Sequence, residues 1–171
     1  MVDLQRLVRD IPDFPKPGII FKDITPLLAD ANAFRAMVDR LVAPYRGRVD
    51  IVLGIESRGF IVGAAAAYAL DAGLALVRKP GKLPSQTYAA RYELEYGSDA
   101  LEIHHDALGP QHHVLVIDDL LATGGTASAA IELVKRCSGQ VIACAFVIEL
   151  AFLRGRMRLA GHEVSSLIQY A

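Results

Sequence analysis

A chain of 171 residues is the size of one domain and can bury a single substantial core. With 53% hydrophobic and 22% charged residues it has an ordinary globular composition, which excludes a disordered chain, and a formal net charge of −1 excludes a broad basic surface for nucleic acid. The longest apolar run, Phe60–Leu70, is too short to cross a bilayer, and the N-terminus lacks an apolar signal core. Cys137 and Cys144 fit no metal or redox spacing and read as buried free thiols, so a cytoplasmic protein is expected.

Taken in order, Val2, Leu4, Leu7, Val8 and Ile11 have helical spacing and predict an N-terminal helix. Three prolines between Pro12 and Gly18 predict an irregular stretch, and Ile19–Ile24 a short extended piece. A helix is expected from about Asn32, as N-cap, to Ala43. Val49–Ile55 is the first strong strand. It runs into the charged, glycine-flanked turn Gly54–Phe60, and a helix follows to about Ala72. That turn falls at a strand's carboxyl end, where α/β sheets bind ligands. Its N–H groups and Arg58 read either as an anion site or as a capping turn with a solvated arginine. Leu74–Val77 predicts the next strand. Arg78, Lys79 and Lys82 follow among prolines, as a charge neutraliser or as a solvated loop. From Thr87 to Ile103, tyrosines and charges flank Gly97-Ser98-Asp99, which predicts a β-hairpin acting as a mobile flap.

Val114–Thr126 (VLVIDDLLATGGT) organises the rest. An apolar β-branched run reads as a buried parallel strand, ending in Asp118 and Asp119. Thr123, Gly124, Gly125 and Thr126 then open a helix, so consecutive backbone N–H groups and a positive dipole end converge on one point, as a phosphate requires. The paired carboxylates suit hydroxyl donors instead. Phosphate and diol a few ångströms apart describe a ribose 5-phosphate; the simpler reading is a tight turn with an aspartate cap. Gly139–Leu150 and Gly161–Tyr170 supply two more strands, the last an edge. His104-His105 and His112-His113 point to opposite faces as neighbours in a strand, and together with His162 they are assigned no chemistry.

The signature, with PDFPKPGIIFKDITPLL, GIESRGF, RKPGKLP and LEYG, resembles the type I phosphoribosyltransferases in the form typical of their adenine-specific branch. The resemblance implies an α/β fold: a parallel twisted sheet flanked by helices, an antiparallel flap hairpin and a small N-terminal hood. One domain would span 1–171, with about 12–30 covering the base and about 80–105 the flap. It implies transfer of the phosphoribosyl group of phosphoribosyl pyrophosphate (PRPP) to adenine, giving AMP and pyrophosphate. Asp118, Asp119, Ala122, Thr123, Gly124, Gly125 and Thr126 would hold ribose and 5-phosphate. Glu56, Ser57, Arg58, Arg78, Lys79 and Lys82 would hold pyrophosphate, with a cis peptide at Glu56–Ser57. Ile20, Phe21, Lys22 and Leu150 would meet the base, while Val147 packs in the core. Glu95, beside Tyr96 in the flap, is the expected general base, and Arg58 the second catalytic residue. Mg2+ would be held mainly through substrate and water. A homodimer is implied, with Lys82 reaching the partner's site, and neither nucleic acid nor membrane as partner. Two other readings stay open. One is the same chemistry on hypoxanthine, guanine or xanthine; the other is a PRPP-sensing regulator, against which short length and balanced charge argue.

Overall fold

Where helical spacing predicts an N-terminal helix, the chain forms a single turn and then a strand. In the computed structural model, which describes residues 2–93 and 98–171, Gln5–Leu7 makes one 3-10 turn. The chain then extends as β1 (Arg9–Pro12), antiparallel to β2 (Ile20–Asp23), with Arg9 opposite Asp23. Two ion pairs, Arg9–Asp23 at 2.9 Å and Lys22–Asp10 at 2.7 Å, join the strands. Cross-strand pairs of this kind favour the ribbon, and they join residues too far apart for any helical window to contain. A short helix α1 (Thr25–Ala29), which the sequence reading lacked, leads into α2 (Ala31–Val42). The cap of α2 is Asp30, whose Oδ1 accepts from the N–H groups of Asn32 and Ala33, both at 2.9 Å. The helix therefore starts ahead of the expected Asn32.

The rest follows the expected order. β3 (Ile51–Ile55) leads to α3 (Arg58–Ala69) and β4 (Gly73–Val77). The hairpin β5 (Thr87–Glu93) and β6 (Ser98–His104) comes next, then β7 (His113–Leu121), α4 (Gly125–Arg136), β8 (Gln140–Leu150) and β9 (Glu163–Tyr170). Five strands form one parallel sheet in the order β4-β3-β7-β8-β9, so β9 is an edge as its alternation predicts.

Side-chain alternation splits the core into two layers, one on each face of the sheet. Leu115 and Ile117 pack with α2 and α3, whereas Val114 and Val116 pack with α4 and the hairpin. All four are fully buried, at about 1.5–3 kcal/mol per side chain. That burial far exceeds any exposed ion pair and fixes where β7 delivers its carboxyl end. Helix α3 approaches β7 closely: a Cβ added at Gly59 would lie 2.8 Å from Asp118 Oδ1. Only glycine lets the turn after β3 sit so near the paired aspartates. Arg136 of α4 donates to the carbonyl of Ala89 at 2.8 Å, fastening the root of the hairpin to the signature helix.

Candidate active site

From β3 the chain proceeds to β4 on one side, and β7 returns on the other, so β3 and β7 flank the point where strand order reverses. Open α/β sheets bind ligands there. The two outgoing loops enclose a cavity of about 380 Å³. It is lined by Glu56, Ser57, Arg58, Lys79, Asp118, Asp119 and Ala122–Thr126, with Tyr92, Leu101 and Phe146.

β7 does not stop at Ile117; it pairs with β8 as far as Leu121, so both aspartates lie within the strand. Asp119 is 6% exposed, and its Oδ2 accepts from Arg58 Nε at 2.5 Å. Asp118 is half-buried at the cavity wall and accepts from the Asp119 N–H at 2.9 Å. Burial, reinforced by the neighbouring Asp119 charge, raises the Asp118 carboxyl well above the usual carboxylate range. Both side chains offer oxygens at the cavity wall that can accept from hydroxyl donors.

Beyond Leu121 the chain turns through Gly124, whose φ of +83° is a left-handed conformation open to glycine at little cost. The first bond of α4 runs from Ser128 N to the Gly124 carbonyl at 2.9 Å. The N–H groups just ahead of it therefore lack helical acceptors, and the residues that carry them line the cavity at the positive dipole end of α4. Residues 122–126 contain no carboxylate. Tyr92 lies against Thr126 and Asp99, and burial raises its phenol above the ordinary range. Sequence reasoning missed Tyr92, Leu101 and Phe146; the hairpin register, which sets Tyr92 opposite Asp99, is the signal that could have found the first.

The opposite wall carries the cations. Glu56 collects three donors: Lys82 Nζ at 2.6 Å, the Lys79 N–H at 3.0 Å and Arg78 Nε at 3.3 Å. The Lys82 hydrogen bond leads in holding the Glu56 carboxyl below its ordinary value. Lys79 Nζ is paired with Asp99 of the hairpin. Arg78 and Lys82 thus do not line the cavity as expected of pyrophosphate ligands, because Glu56 draws both to its own carboxylate; Lys82, expected to reach a partner's site, meets Glu56 of its own chain. The Glu56–Ser57 peptide is cis.

Of the residues expected at the base, Ile20, Phe21, Lys22 and Leu150 lie outside the cavity lining. Phe21 adjoins it through Arg58, whose guanidinium carbon lies 4.6 Å from the ring centroid, with Phe14 packed edge-on at 5.2 Å. The Lys22 ammonium is turned to Asp10 on β1 and to the Tyr170 ring at the end of β9, 3.9 Å from its centroid, and those two groups satisfy it. Leu150 packs against the first core layer, and Val147 is buried in it. Glu95 and Tyr96 lie outside the described residues. Among the described residues no three His, Cys, Asp or Glu side chains converge as metal ligands.

The model of the phosphoribosyl transferase domain matches residues 22–163. Adenine phosphoribosyltransferase from Syntrophotalea carbinolica is 57% identical over 99% of this chain and 100% of its own length. The chain belongs to the adenine phosphoribosyltransferase family. Its relative from Solibacter usitatus is 58% identical over 99% of both chains. Among solved structures, the family member from Rhodothermus marinus superposes with a TM-score of 0.94 at 51% identity, covering 98% of this chain and 96% of that one. The Saccharomyces cerevisiae enzyme, complexed with an imino-altritol bisphosphate and adenine, gives 0.90 at 38% identity over 96% of each chain.

Proposed function

We propose that this chain is a purine-salvage enzyme that transfers the 5-phosphoribosyl group of PRPP to adenine, releasing AMP and pyrophosphate. One observation carries the reading: the β7 carboxylates stand beside the carboxylate-free backbone cradle of 122–126, with Arg58 and Lys79 on the facing wall of the same cavity. A ring nitrogen of adenine attacks the anomeric carbon while the bond to pyrophosphate breaks, so positive charge builds on the ribose and negative charge on the leaving group. Ala122–Thr126 anchor the 5-phosphate, which fixes the reacting carbon by binding energy spent remotely. Asp118 and Asp119 hold the ribose hydroxyls and favour the ribosyl cation. Arg58, Lys79 and the main chain of Glu56–Ser57 face the leaving pyrophosphate, and Arg78 and Lys82 join them by exchanging Glu56 for phosphoryl oxygens.

The donor set fits Mg2+ borne by the substrate, since such ions keep several waters and use one or two carboxylates; Asp118, Asp119 and Glu56 are the cavity carboxylates that would meet it. Bound there, the ion neutralises charge on the pyrophosphate. Phe21 and Leu150, with Ile20 and Lys22, form the base side, and Glu95 takes the proton released by the attacking purine, Tyr96 beside it in the flap. The whole chain is one domain, with about 12–30 as hood and about 80–105 as flap.

A homodimer is supported by the exposed apolar side chains of Ile61 on α3 and of Leu74 and Leu76 on the edge strand β4. Buried free Cys137 and Cys144 support a cytoplasmic setting. Turnover with adenine, hypoxanthine, guanine and xanthine at saturating PRPP tests the reading. Adenine should be preferred by about ten-thousandfold, as a site built to hydrogen-bond an exocyclic amine requires. Comparable turnover with an oxopurine would overturn it.

A further inference from the structure

Between β8 and β9 the chain makes two 3-10 turns, Ala151–Leu153 and Gly155–Leu159. At Gly155 its main chain presses against residues 122–124. A Cβ added at Gly155 would overlap the Ala122 carbonyl, and one at Gly124 would overlap the Gly155 carbonyl. This segment is the outer wall of the phosphate cradle.

Arg156, the next residue, holds that wall in place. Its guanidinium donates through Nε to Glu149 Oε1 and through Nη2 to Glu149 Oε2, both at 2.7 Å. It also donates through Nη1 to the Val164 carbonyl at 2.7 Å and through Nη2 to Ser166 Oγ at 3.2 Å. Glu149 is 4% exposed and sits in β8 opposite Leu121, the last residue of β7 before the cradle. It accepts as well from Ser166 Oγ at 2.6 Å and, at 3.4 Å, from Gln169 Nε2, both on β9. One carboxylate therefore ties β8, β9 and the wall segment together beside the point where β7 ends.

Only Glu149 is buried while Arg156 is 41% exposed, and such a pair contributes little stability, because the cost of desolvating the carboxylate and solvent screening of the guanidinium offset most of the attraction. What it supplies is geometry: a planar fork with five donors fixes distance and angle where packing alone would leave latitude. We propose that Arg156 and Glu149 are positioning residues for the 5-phosphate: by clamping the Gly155 main chain against Ala122–Gly124, they set the cradle to the shape of a ribose 5-phosphate. This rests on the reading of 122–126 as the phosphate cradle.

The two halves of PRPP test it separately. Ribose 5-phosphate and pyrophosphate are titrated calorimetrically into the wild type, Arg156→Gln, Arg156→Lys and Glu149→Gln, alongside KM for PRPP, kcat and Tm. In Arg156→Gln and Glu149→Gln the Kd for ribose 5-phosphate and the KM for PRPP should rise about tenfold, while the Kd for pyrophosphate and the kcat at saturating PRPP hold. Arg156→Lys should fail to restore ribose 5-phosphate affinity, since it keeps charge without the fork. Should these variants not fold, Ser166→Ala removes one donor and leaves the ion pair; a selective loss of about twofold for ribose 5-phosphate is expected. Lowered Tm with unchanged ribose 5-phosphate affinity, or equal loss of both halves, overturns the proposal. Failure of the wild type to bind either half overturns the reading beneath it instead.

Discussion

The two walls of the cavity solve the same problem, holding a phosphoryl group, in opposite ways. At 122–126 the work falls to main-chain N–H groups at a helix end, with no side-chain charge in the loop. Across the cavity, Arg58, Arg78, Lys79 and Lys82 each face a carboxylate of the chain: Asp119, Glu56, Asp99 and Glu56. The first wall is preorganised, so a phosphate has only to lose its water. The second must exchange internal ion pairs for external ones, so its net gain is a difference between two similar quantities. The contrast suits the reaction, because the 5-phosphate stays attached to the product whereas pyrophosphate must leave.

The largest effect should come from damaging the preorganised wall. Gly124→Ala forces a side chain into a left-handed turn and against the Gly155 carbonyl. Ribose 5-phosphate affinity, read by calorimetry, should fall about a hundredfold or more, with pyrophosphate affinity retained. If both fall together, the walls are not independent. Next comes the chemistry between them. Glu95→Gln should lower turnover about a hundredfold, measured in single-turnover AMP formation, with both half-ligands still bound. Near-normal turnover would remove Glu95 from the mechanism.

A smaller effect, of opposite sign, is expected on the exchangeable wall. Asp99→Asn releases Lys79, and because exposed pairs contribute little, pyrophosphate should bind only about threefold more tightly. Weaker binding would show that Asp99 assists the anion. Finally, pH should separate the groups by sign. Hydrogen bonds from Lys82, Lys79 and Arg156 are the leading causes holding Glu56, Asp99 and Glu149 below their ordinary values. Their contribution to stability is present above the unfolded carboxylate range of about 4 and is lost as pH falls through the folded values. Asp118 is raised by burial, so its contribution is full in acid and is lost as pH rises through its folded value. Asp118→Asn should therefore raise Tm by a few degrees at pH 8 while impairing AMP formation, and a lowered Tm there would contradict the assignment.

Much of this was legible from residue order because the central strands are governed locally. Val114–Ile117 is buried on both faces, so its apolar run is enough to mark β7, and the glycines and threonines after it mark the cradle. The N-terminal ribbon was misread because its deciding contacts, Arg9–Asp23 and Lys22–Asp10, cross between strands while the apolar spacing alone favoured a helix. For Arg78 and Lys82 the loop pattern offers an anion site or a solvated loop, and nothing in it shows that Glu56 reaches both. Tyr92 was passed over because its place in the cavity depends on the hairpin folding back over α4.

Cys144 sits unexposed in the middle of β8, between Ala143 and Ala145, and burial pushes its thiol up to about 12. A thiol so placed is closed to alkylating reagents until the sheet itself parts, so its labelling rate is an intrinsic clock for opening of the whole molecule. Any compound that grips only the closed form must slow that clock in proportion to its occupancy, which allows binding to be followed without turnover, dye or added reporter.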